Sequence, residues 1–152
     1  MEHLFADFDF DLLRSADFKE DSVREELVLP ILKALGYSAH GENKIIRSKK
    51  LRHPFVTVGA KEVALTNFPD YLFQVDGKFA WVRDAKGPDE AITTGKNREQ
   101  AFFYAIHPEI NVPYFALCNG REFALFRVNK EDTVLYFSLS EIDGLRMLPL
   151  AL

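Results

Sequence analysis

Two hydrophobic rhythms run through this chain, one helical and one of nearly unbroken apolar runs. From about Asp17 to Gly36, Val23, Leu27, Ile31 and Leu35 recur at helical spacing, which places them on one face of a helix. Its start is open, because Asp17-Phe18-Lys19-Glu20 and Ser22-Val23-Arg24-Glu25 both read as capping boxes. Gly36 suits the position just past the end. Pro30 lacks a backbone N–H, so a kink or a restart is expected there. Further on, Asp70 to Val75 and Lys78 to Arg83 are apolar on adjacent positions and are joined by Asp76-Gly77, a hairpin signal. Apolar positions on both faces predict strands covered on both sides, in mid-sheet. Gly87-Pro88 ends the second strand, and Asn97 to His107 reads as a second helix stopped by Pro108. Pro113 to Cys118 and Glu122 to Val128, joined by Asn119-Gly120, form a second hairpin, and Thr133 to Phe137 reads as a further strand. The order helix, strands, helix, strands predicts an α/β fold with a central mixed sheet flanked by helices.

Length and charge narrow the classes. The 152 residues fit one domain, taken as residues 1–152, and 47% hydrophobic with 28% charged residues suits a globular protein. No apolar stretch reaches the roughly 20 residues of a membrane helix. The first ten residues mix aromatics with acids and lack the order of a secretory signal, so a cytoplasmic location is expected. The formal charge is −4, from 19 basic and 23 acidic residues, which excludes uniform capture of nucleic acid. The charge is segregated, however. Lys44, Arg47, Lys49, Lys50 and Arg52 lie between Asn43 and His53 with no acid among them, leaving 14 basic against 23 acidic residues, a net −9, elsewhere. This segment reads either as a phosphate-contacting patch or as a solvated strand edge guarded by lysines.

Several familiar chemistries fail on residue type or spacing. Cys118 is alone and makes neither an internal disulfide nor a zinc cluster, and His3, His40, His53 and His107 lack zinc-protease spacing. Gly95-Lys96 lacks the earlier glycine and the following serine or threonine of a phosphate loop. There is neither a nucleophile elbow nor a dinucleotide-binding fingerprint. The remaining constellation is Pro69-Asp70, opening one hairpin strand, and Asp84-Ala85-Lys86, closing the other. Hairpin pairing brings these ends together. Residues two apart share a strand face, so Asp84 and Lys86 point the same way. Two carboxylates and the Ala85 carbonyl are hard oxygen ligands suited to Mg²⁺ or Mn²⁺, and a lysine beside them can orient and help deprotonate an attacking water. That is the equipment of metal-assisted phosphodiester hydrolysis.

The run from Phe18 to Glu26, then Pro30-Ile31-Leu32 and Leu35-Gly36-Tyr37, resembles the opening of the amino-terminal nuclease domain of type I restriction enzyme R subunits. Pro69-Asp70-Tyr71, Trp81 to Lys86, Gln100 to Ala105 and Leu117 to Glu122 extend the likeness in the same order, over roughly residues 18–128. That family belongs to the PD-(D/E)xK nuclease superfamily, whose similar members cut DNA with magnesium. The resemblance implies a restriction-endonuclease-like fold. It implies metal ligation by Asp70 and Asp84 and a catalytic role for Lys86. Glu20 matches the acid of the first helix that helps hold metal or water, with Glu25 as the alternative one turn on. Gln100 and Tyr104 match the glutamine and tyrosine of the following helix and, four apart, share its face. Related domains usually carry glutamate where Asp84 stands, and Arg83 is a candidate partner for either aspartate. The expectation is a Mg²⁺-dependent DNA endonuclease domain, Mn²⁺ substituting, either free-standing or part of a larger defence protein with further subunits. The alternative is a silent binding or regulatory module of the same fold.

The hairpin carries a geometric requirement. A two-residue Asp76-Gly77 turn makes paired residue numbers total 153 and sends Asp70 and Asp84 to opposite faces. A shared site needs an even total. A three-residue Val75-Asp76-Gly77 loop supplies one, pairing Gln74 with Lys78; an equivalent bulge within the strands also does.

Overall fold

The computed structural model describes residue 5 and residues 7–65 and 69–141. The helical segment predicted from Asp17 starts later, with Lys19 as its cap. It comprises α1 (Glu20–Val23), a π-helical turn (Arg24–Val28) and α2 (Leu29–Ala34). Neither expected capping box forms. Instead the Lys19 N–H donates to the Ser22 hydroxyl at 3.3 Å, which leaves the Glu20 carboxylate free for other partners. Pro30 takes effect one turn upstream. The π turn lets the Leu29 N–H reach back five residues to the Arg24 carbonyl, just before the residue that has no N–H to offer. Val23, Leu27 and Ile31 are buried as their spacing requires. Gly36, at φ +92°, ends the rod: its N–H donates to Lys33 and that of Tyr37 to Leu32, each at 3.0 Å, a Schellman closure.

Six strands form one mixed sheet in the order β1-β4-β5-β6-β7-β8. They are β1 (Asn43–Arg47), β4 (Tyr71–Val75), β5 (Lys78–Ala85), β6 (Tyr114–Cys118), β7 (Glu122–Arg127) and β8 (Thr133–Ser138). All neighbours are antiparallel except β5 and β6, which run parallel because α3 (Lys96–Ile106) carries the chain between them. The two hairpins thus lie where the apolar runs and their turn residues placed them. A separate two-stranded hairpin, β2 (Phe55–Val58) and β3 (Lys61–Ala64), adds to the elements expected from the pattern.

Both sheet faces are covered. Tyr71, Phe73, Trp81, Ala85, Cys118 and Phe123 pack on Val23, Leu27, Ile31 and Leu32 of the first helical rod. Leu72, Val82, Phe115, Leu117 and Phe126 pack on Ala101, Tyr104 and Ala105 of α3, with Val56, Val63 and Leu65 of the small hairpin joining that side. The result is a three-layer α/β arrangement with β4 and β5 in the interior of the sheet. No helix among the described residues is long and apolar enough to cross a membrane.

The β4–β5 hairpin meets the geometric requirement by the second route. Its turn has two residues, with Asp76 and Gly77 both at positive φ and Val75 facing Lys78, so the three-residue loop is corrected. Gln74 faces Phe79, but Phe73 already faces Trp81, so Ala80 is the extra residue of a bulge. Beyond it Leu72 faces Val82 and Tyr71 faces Arg83, an even total. One inserted residue turns Asp70, Asp84 and Lys86 toward α3 together.

Candidate active site

Asp70 and Asp84 continue the shifted register at the open end of the hairpin and lock together. The Asp70 N–H donates to Asp84 Oδ1 at 2.9 Å, and the Ala85 N–H donates to Asp70 Oδ2 at 2.8 Å. Each carboxylate therefore replaces one rung of the strand ladder. Asp84 is buried, with 4% of its surface exposed. Burial, followed by the nearby Asp70 charge, lifts its pKa to about 7, against the opposing pull of the Asp70 N–H and Lys86.

The parallel neighbour β6 fixes Lys86. Its N–H donates to the Cys118 carbonyl at 2.8 Å, while Nζ donates to Gln100 Oε1 at 3.1 Å and stands 3.8 Å from Asp84 Oδ2. The Asn119 side chain stiffens the adjoining loops: its amide donates to the Glu90 carbonyl, and its oxygen accepts the N–H groups of Arg121 and Glu122. Gln100 and Tyr104 share a face of α3, as their spacing implies. The Tyr104 hydroxyl is buried without a hydrogen-bond partner among the described residues. Burial and then the charges of Asp84 and Asp70 raise its pKa; Gln100 pulls the other way, though their geometry falls short of a hydrogen bond.

From the other layer, α1 delivers Glu20 and, unexpectedly, the π-helical turn after it delivers Arg24. Arg24 Nη1 lies 3.1 Å from Asp70 Oδ1 and 3.4 Å from Glu20 Oε1, and Nη2 pairs with Asp21. Burial opposes the Arg24 charge, but Asp70, Asp21 and Glu20 outweigh it and its pKa rises. Burial and then the Asp70 charge raise the pKa of Glu20. Glu25 is exposed on the rod, so of the two acids Glu20 is the one linked through Arg24 to Asp70. Arg83 is corrected as well. It alternates to the opposite face from Asp84, fully buried, 4.4 Å from the Phe123 ring centroid and 5.4 Å from that of Trp81, with none of its guanidinium nitrogens hydrogen-bonded among the described residues. The Glu20–Arg24 spacing was legible as an i,i+4 pair; the reach to Asp70 was not.

The basic segment divides. Ser48 donates its N–H to the Asp70 carbonyl at 3.1 Å, so the chain that bears Lys49, Lys50 and Arg52 leaves the sheet directly beside Asp70. Arg47, at the same end, sits over the Tyr71 ring. Lys44 instead faces Gln74 near the hairpin turn, three residues away along β1. None of the five forms an ion pair among the described residues. A cleft of about 450 Å³ opens beside Lys86 and Gln100, walled by Val63 and Leu65 on one side and Lys96 and Phe103 on the other.

Hard oxygen donors are present for Mg²⁺, which commonly binds through one or two carboxylates and otherwise keeps its waters. Of the two interlocked carboxylates, Asp84 is driven toward protonation by burial and then by the charge of Asp70. Among the described residues no three acidic, histidine or cysteine side chains form a ready cage, and Arg24 and backbone amides contact Asp70 Oδ1, Asp70 Oδ2 and Asp84 Oδ1. Comparison of the chain with family models, curated proteins and solved structures finds no match to any of them.

Proposed function

We propose that this domain has a restriction-endonuclease-like fold and hydrolyses phosphodiester bonds of DNA with Mg²⁺ at Asp70, Asp84 and Lys86. The observation that carries the reading is the Ala80 bulge, which puts the three side chains on one face at the end of the sheet. Asp70, Asp84, the Ala85 carbonyl and Glu20 are the groups that would hold the metal. When bound, the ion supplies Lewis-acid stabilisation of charge developing on the phosphate. Lys86 is braced by Gln100 and Asp84 at the cleft wall, where its ammonium orients a water for attack on phosphorus. Tyr104 closes the site from α3. Arg47, Lys49, Lys50 and Arg52 provide phosphate contacts beside Asp70, with Lys86 and Lys96 lining the cleft. The reading carries with it a cytoplasmic setting and, where the domain acts within a larger defence protein, further subunits.

A silent module of the same fold is the second reading. It is favoured by one observation: Arg24 already supplies a cationic partner to Asp70 and Glu20. Titration calorimetry with Mn²⁺ separates the two. The nuclease reading expects a site that Asp70→Asn or Asp84→Asn removes, whereas equal heats for wild type and both variants would leave the silent module.

A further inference from the structure

Arg24 belongs to no role assigned so far, yet it touches the site's outer carboxylates from a separate layer. Its Nη1 bridges Asp70 Oδ1 and Glu20 Oε1 at 3.1 and 3.4 Å, two of the oxygens that the nuclease reading gives to the metal. Its Nη2 is anchored on Asp21, whose side chain is 79% exposed. A guanidinium is a permanent cation and a strong partner for paired carboxylates. A divalent ion at the same oxygens meets that fixed positive charge at close range, where repulsion is least screened.

We propose that Arg24 is a resident cation that a divalent metal must displace from Asp70 and Glu20 in order to bind. The proposal rests on the metal reading of the site. With metal absent, Arg24 stabilises carboxylates that otherwise repel one another. With metal present, the guanidinium leaves Asp70 and keeps its outer contact with Asp21, so it swings on an anchor it already has. Metal affinity is thereby lowered by the strength of the Arg24–Asp70 interaction. A net charge-assisted hydrogen bond of this kind corresponds to about a tenfold change in a binding constant.

The test is Mn²⁺ titration calorimetry on wild type, Arg24→Gln and Lys33→Gln, with thermal melting of each protein with and without Mn²⁺. Lys33, exposed further along the same helical rod, is a control for loss of one positive charge. R24Q is expected to bind Mn²⁺ about tenfold more tightly than wild type and to gain more in melting temperature from it. K33Q should remain within about twofold of wild type. If R24Q is unfolded without metal, Mn²⁺ should fold it at concentrations below the wild-type binding midpoint. Equal affinity in wild type and R24Q overturns the proposal while leaving the metal reading intact, as does an equal gain in K33Q. No Mn²⁺ binding by wild type or R24Q overturns both.

Discussion

Replacing Asp84 by asparagine should stabilise the metal-free protein, and the gain should depend on pH in a defined way. Asp84 is buried against Asp70, and its pKa rises from an ordinary 3.8 to about 7. A carboxyl whose folded pKa is raised binds its proton more tightly in the native state. Its contribution is therefore greatest at acid pH and is lost as pH rises from about 4 through about 7, then stays flat. At about 1.4 kcal/mol per pKa unit, the whole interval corresponds to roughly 4 kcal/mol. Lys86 is only 3.8 Å away and can close on the ionised group, and sites of this kind respond as if more polarisable than a dry interior, so about half that value is expected. Asparagine keeps an oxygen for the Asp70 N–H and carries no charge. Urea unfolding of wild type and Asp84→Asn in chelator, at pH 4, 6 and 8, should give near-equal stabilities at pH 4 and an advantage of about 2 kcal/mol for the variant at pH 8. A variant less stable than wild type at pH 8, or an advantage that does not change with pH, refutes the electrostatic account of this pair.

Other outcomes follow from the same structure. Gly120→Ala should cost about 2 to 3 kcal/mol in urea unfolding, since its φ is +91° and a Cβ there would lie 2.9 Å from Leu13 Cδ2 and 3.1 Å from Leu27 Cδ1. Arg83→Met should raise stability by about 1 to 2 kcal/mol, because a buried guanidinium without hydrogen bonds is exchanged for an apolar chain of similar length; a loss of stability would mean that the packing on Phe123 and Trp81 outweighs desolvation. Neutralising Lys50 and Arg52 together should flatten the salt dependence of DNA binding by roughly 0.9 for each phosphate that the variant no longer neutralises, and an unchanged slope would return that segment to a solvated edge.

What was legible in the chain was mainly local. Asp76-Gly77 marked its turn because few other pairs tolerate two positive φ angles, and Gly120 and Gly36 marked a turn and a helix end because each sits at positive φ. The proximity of Asp70 to Asp84 followed from simple pairing. The bulge that gives the pair a common face was derivable only as a requirement of the proposed chemistry: nothing in Phe79-Ala80-Trp81 announces that Ala80 lacks a partner, and the three-residue turn was an equally good solution on local grounds. Arg24 was out of reach for a different reason. Its contact with Asp70 spans 46 positions and depends on how the first helical rod docks on the sheet. Arg83 and Asp84 are neighbours in sequence but face opposite layers, so adjacency suggested a pairing that strand alternation forbids. The β2–β3 hairpin is harder to read because its strands are only four residues each: Phe55–Val58 is largely apolar but mostly exposed, and Lys61–Ala64 opens on two charges.

Cleavage of supercoiled plasmid DNA by the purified protein tests the central claim most directly. With Mg²⁺ or Mn²⁺ the wild type should convert supercoiled DNA to nicked and linear forms, and chelation or Lys86→Ala should abolish the conversion. Intact plasmid with both metals, or cleavage by Lys86→Ala at the wild-type rate, would contradict it.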